Sequence, residues 1–178
     1  MFPDRYFGEV HEEMFFYFQK SLEKGIQEGE GDNAAALIPR DHQKSFCIAV
    51  ASSWVITKFP YFTLTYVSSN PTLAERQLTV IKNIFKGEAH RELWPDMLNY
   101  EINPRTKEYE HKPLGGWTKS EIAVDHPDRP KSEKDPTVAA TSAKSTNTGA
   151  HYKMIIFDDL VTNENYKSAA EREEIKEV

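Results

Sequence analysis

Cysteine is nearly absent: Cys47 stands alone among 178 residues. An internal disulfide and any cysteine-based zinc site are therefore excluded, which suits a reducing cytoplasm. Long apolar runs are missing too. None approaches the roughly 20 residues of a helical membrane span, and the first residues lack the basic-then-apolar layout of a signal peptide. Nor is there an excess of positive charge. With 22 Lys and Arg against 28 Asp and Glu, the net charge of -6 excludes a chain that coats DNA by bulk charge. A local basic patch stays open, because DNA contacts need only a few well-placed cations. What remains is ordinary for a soluble globular protein, 39% hydrophobic and 28% charged. The length suits one α/β domain with a proper core and is too short for two large ones.

Periodicity supplies the elements. Residues 6–24 carry Val10, Met14, Phe15, Phe18 and Leu22 at helical spacing, and the glycine-bearing stretch 25–33 is expected to end that helix. Residues 34–38 (AAALI) read as a short buried strand, followed by a polar loop and a helix over 44–58 with Trp54 in the core. Residues 62–68 are β-branched and aromatic, hence a strand. Asn70-Pro71 then caps and opens a helix to residue 85. The stretch 87–135 is polar and proline-bearing with short strand-like pieces such as 121–124, and 125–136 reads as an exposed loop. Further strands are expected at 137–141 and 154–157, a small-residue loop at 142–150, and a charged helix from 163 onward. Alternating strands and helices point to a mostly parallel sheet covered on both faces.

Two pieces carry chemistry. In AAALIPRDHQKSF an apolar run enters a polar loop, and Lys44-Ser45 open a helix. A triphosphate needs that layout: backbone N–H groups face the phosphates, the lysine reaches the β and γ oxygens, and the serine hydroxyl ligates magnesium. Against the pattern G-x-x-x-x-G-K-[ST], Ile38 and Gln43 fill the two glycine places. The second piece, MIIFDD, is an apolar strand running into Asp158 and Asp159. The first acid suits magnesium; the second suits orienting or deprotonating an attacking water. Alone, Lys44-Ser45 reads rather as a solvated loop lysine, and the two acids equally as a helix cap or surface pair. Together, at the carboxyl edge of one parallel sheet, they have the order of a nucleotide hydrolase.

The string LIPRDHQKSFCIAVASSWVI resembles the variant phosphate loop (Walker A) of phage terminase large subunits, in particular those of short-tailed phages. YVSSNPTLAERQLTVIKNIF is similar to that family's next strand and helix. DPTVAATSAKSTNTGAHYKMIIFDDLVTNENYKSAAEREEI resembles its approach to and exit from the acidic Walker B strand. The resemblance runs from about Phe7 to Ile175. It implies a three-layer P-loop NTPase of RecA/terminase type, incomplete at the C-terminal side, as a single partial ATPase domain over residues 1–178 with the nuclease domain absent.

By the same resemblance ATP is the substrate and Mg2+ the cofactor. Pro39, Arg40, Asp41, His42, Gln43, Lys44 and Ser45 would line the nucleotide, Ser45 and Asp158 the metal, and Asp159 with Arg40 the catalytic positions. Many relatives carry Glu where this chain has Asp159, so the attacking water would take a slightly different position or a neighbour such as Glu164 would help place it. His151 stands where some relatives have an arginine and is not assigned as a trans-acting finger. His11, Phe7, Phe15 and Phe16 would line the adenine side or simply pack a helix; His42, His90, His111 and His126 show no ligand spacing. Arg129, Lys131 and Lys134 read as a solvated loop. The partners implied are non-specific double-stranded DNA, a portal protein, a small terminase subunit and further copies in a ring, in the host cytoplasm and away from membranes, with little turnover by the chain alone. Two other readings stay open: a helicase-like P-loop ATPase, and a truncated nucleotide-binding or assembly module without catalysis.

Overall fold

The computed structural model describes residues 7–29, 33–39, 42–145 and 150–160. Its centre is a four-stranded sheet in the order β4-β5-β1-β6, built from β1 (Leu64–Ser68), β4 (Glu121–Ile122), β5 (Val138–Ser142) and β6 (Met154–Asp158). β1 runs parallel to β5 and β6 on its two sides, and only β4 is antiparallel. The register sets Ser68 opposite both Ser142 and Asp158, so the three parallel strands end level with one another.

One face of this sheet is made by alternate residues: Leu64 and Tyr66 of β1, Val138 and Ala140 of β5, and Ile156 of β6. They join one buried cluster with Ala49 and Ile56 of α2 (Lys44–Lys58) and Ala74, Leu78, Ile81 and Phe85 of α3 (Pro71–Lys86). The α3 residues recur at spacings of four, three and four, the stripe a helix needs to lie on a sheet. Its start is specified locally: Pro71 sits in the first turn and the Asn70 side chain accepts the Leu73 N–H at 3.0 Å. In α2 the small hydroxyl residues are buried without penalty, because Ser52 and Ser53 donate to the carbonyls of Ile48 and Ala49 four residues back.

The expected strand at 34–38 does not form. Residues 33–39 have no regular structure, and Leu37 is fully exposed. Three consecutive alanines have little β-preference and bury little area, so nothing local holds them extended. The first helix also outruns its expected end: α1 spans Glu9–Glu28, passing through Gly25 and stopping where Gly29 takes φ +68, a conformation glycine adopts without strain. Trp54 is 36% exposed, on the outer side of α2, and not core. The helix expected from residue 163 lies outside the described residues.

The middle of the chain holds more structure than its composition implied. A short helix α4 (Glu88–Leu93) and a 3-10 turn (Pro95–Met97) lead into an antiparallel hairpin, β2 (Tyr100–Ile102) with β3 (Tyr109–His111). Asp125 clamps this insert to the sheet. Its carboxylate accepts the N–H of Asn99 at 2.9 Å and of Leu114 at 2.8 Å, with His111 Nε2 at 3.5 Å, and its own N–H donates to Met97.

Candidate functional site

The N-terminus of α2 arrives at the carboxyl end of β6 without a strand to deliver it. Two contacts, one from α1 and one from Phe7 just before it, are made there instead. The Gly8 N–H donates to His11 Nδ1 at 3.0 Å, which leaves the ring proton on Nε2 to donate to the His42 carbonyl at 2.9 Å. Phe7 stacks on Phe46 with centroids 6.1 Å apart, meets His11 edge to face and lies tilted against Phe15. Phe7, His11 and Phe15 thus pack α1 onto the loop and α2, while Phe16 points to solvent.

Gln43 precedes the helix with φ 54 and ψ 22, and its carbonyl accepts the Cys47 N–H at 3.0 Å. This is the place of the second glycine in the phosphate-loop pattern, and its backbone takes the left-handed form that makes glycine suitable there. Asp159 is also left-handed, φ 48, just past the end of β6. That offers a physical reason for Asp: its short side chain tolerates this region better than longer residues do.

The two sequence motifs meet. Lys44 Nζ and Asp159 Oδ1 are 2.9 Å apart, both partly exposed. Beneath them Asp158 is buried, and its Oδ2 accepts a 2.5 Å hydrogen bond from the Tyr66 hydroxyl. The Ser45 hydroxyl lies near the same phenol. Burial first, and then the charges of Asp158 and Asp159, push the Tyr66 phenol far above its ordinary ionisation range, so it stays a neutral donor. Magnesium takes one or two protein oxygens and fills its remaining positions with water and phosphate oxygens. Ser45 and Asp158, both beside one phenol at a sheet edge, offer two such oxygens. Among the described residues no three His, Cys, Asp or Glu side chains converge as a metal cluster.

Arg40 and Asp41, expected at the γ-phosphate and in the loop, lie outside the described residues, as does Glu164. Pro39 is exposed at the end of the irregular stretch, and His42 enters through its carbonyl. His151 is exposed; its N–H donates to Asp135 and its carbonyl accepts from Thr63. Tyr66 was not singled out because residues 62–68 read as a β-branched and aromatic strand. The available signal was its hydroxyl, a polar tip that has to find a partner when the ring is buried. No family model and no curated protein matches this chain.

Proposed function

We propose that this chain binds ATP with magnesium where α2 meets β6, as the ATPase module of a viral DNA-packaging motor of the terminase large-subunit type. The observation that carries the reading is the convergence of Lys44-Ser45 and Asp158-Asp159, 115 residues apart between Lys44 and Asp159, at the carboxyl edge of parallel strands. In this reading Lys44 holds the phosphates, Ser45 and Asp158 hold magnesium, and Asp159 places the attacking water, with Arg40 beside the γ-phosphate. The three-layer P-loop fold, the ring of copies, the DNA track, the portal protein, the small subunit and the host cytoplasm belong to the same proposal and rest on the sequence resemblance.

A second reading has its own support. The phosphate loop lacks the buried strand that usually steadies it, and Asp159 is engaged by Lys44 rather than poised for water. A module that binds nucleotide with little turnover fits those two features. Titration of a fluorescent ATP analogue tests the shared core of both readings: Lys44→Ala should weaken binding roughly 10-fold or more, the loss of a charge-assisted contact. Equal binding by wild type and variant would remove the phosphate-loop assignment. Turnover by the wild type, absent in Asp159→Asn, separates the motor from the binding-only module.

A further inference from the structure

Tyr66 stands behind Asp158, one of the two groups proposed to face magnesium, and the direction of its hydrogen bond is fixed by chemistry. A carboxylate accepts only, so the single phenolic proton goes to Asp158 Oδ2. Ser45 lies near the same phenol, whose oxygen has only acceptor capacity left to offer it. The bond to Oδ2 leaves the carboxylate's other oxygen, Oδ1, outside it. The bond to Asp158 is at the short end for a charge-assisted O–H···O contact, and the ring is held rigidly, fully buried in the core cluster between β1 and the helices.

We infer that Tyr66 is a positioning residue for a divalent cation, fixing the Asp158 carboxylate through Oδ2 so that Oδ1 is the oxygen offered to the metal; this rests on the ATP-magnesium reading of the same site. Hydrogen-bonding groups behind a metal ligand fix its rotamer and its lone-pair direction, and their loss commonly weakens metal affinity about 10- to 100-fold. Tyr66 does not touch nucleotide in this scheme. Its effect is therefore confined to the metal-dependent part of binding, which a merely structural tyrosine would not single out.

The experiment follows a fluorescent ATP analogue at fixed concentration while Mg2+ is titrated, with a parallel series in EDTA. Tyr66→Phe should need about 10- to 100-fold more Mg2+ for half-maximal binding and match the wild type in EDTA. An unchanged Mg2+ requirement in a folded Tyr66→Phe overturns the role of Tyr66 while leaving the ATP site standing. If the wild type itself shows no magnesium-dependent binding, the ATP-magnesium reading falls and this inference falls with it. Should Tyr66→Phe not fold, 3-fluorotyrosine at position 66 of the otherwise unaltered chain reports the same point. Its fluorine resonance should move on adding Mg2+ with the analogue beyond any shift from the analogue in EDTA, and identical shifts would overturn the inference.

Discussion

Lys44 and Asp159 form an ion pair of 2.9 Å across 115 residues of sequence, so the proposed phosphate-binding cation and the proposed water-orienting acid are engaged with each other. A partly exposed pair of this kind contributes about 1 kcal/mol at most. Incoming phosphates would displace the carboxylate at small cost. Neutralising the acid should therefore help binding even as it removes the acid's chemistry. Asp159→Asn is expected to bind the ATP analogue as tightly as wild type or up to about fivefold tighter. An affinity clearly below wild type would show that Asp159 holds the nucleotide or the loop rather than competing for Lys44.

The backbone at Gln43 makes a second test. A non-glycine residue at φ 54 carries a steric penalty, most severe for β-branched side chains. Gln43→Gly should be neutral or stabilising by up to about 1 kcal/mol, whereas Gln43→Val should cost roughly 1–2 kcal/mol. Urea unfolding midpoints check both. Equal midpoints for Gly and Val would mean that the left-handed turn before α2 is not kept in solution.

These residues show what could be read from sequence and what could not. Helices α2 and α3 and strands β1, β5 and β6 were legible to within two residues at either end, because each is a run of strong local pattern bounded by Pro, Asn or paired acids. The spacing sets Gln43 where the phosphate-loop pattern has a glycine; its left-handed backbone could be read from no local pattern. The strand at 34–38 was misread because a short apolar run says nothing of whether a neighbouring strand is there to pair with it. The hairpin was missed for the opposite reason. Its strands have three residues each, too few for alternation to register, although Asn103-Pro104 marks the turn and Asn103 Oδ1 caps it by accepting the Arg105 N–H. Tyr66 and His11 act through single long-range hydrogen bonds, to Asp158 and to the His42 carbonyl, which no local pattern encodes.

Histidine burial sets a pH dependence. His90 lies between Phe85 and Trp94, with Nε2 2.9 Å from Thr57 Oγ1 and no hydrogen-bond partner for the buried Nδ1. Desolvation holds its pKa below 6.5; for His111, desolvation and then Lys86 lower it against the opposing pull of Asp125. A histidine depressed in the folded state keeps its full contribution above the unfolded pKa. As pH falls through 6.5 the unfolded chain takes up protons that the folded chain refuses, and stability is lost. The urea midpoint should thus drop between pH 7.5 and pH 5.5, less steeply in His90→Gln. A midpoint flat over that range, or a slope identical in the variant, would show that burial of His90 does not govern it.

The outer edge of β6 carries the last prediction. Among the described residues no strand pairs with that edge, and alternate side chains on β6, Ile155 and Phe157, are 54% and 48% exposed. An apolar strand with free N–H and C=O groups is a template for another chain, and natural edges are usually blunted by charge or proline. β6 has neither along its first four residues; its only charge, Asp158, faces inward to Tyr66. Sedimentation at rising concentration should show self-association of the wild type, and Phe157→Lys or Ile155→Lys should suppress it. Because both side chains lie on the face opposite Ile156 and Asp158, these substitutions should leave binding of the ATP analogue unchanged. Association that persists in both variants would place the contact elsewhere, and a loss of nucleotide binding would show that this face of β6 supports the site after all.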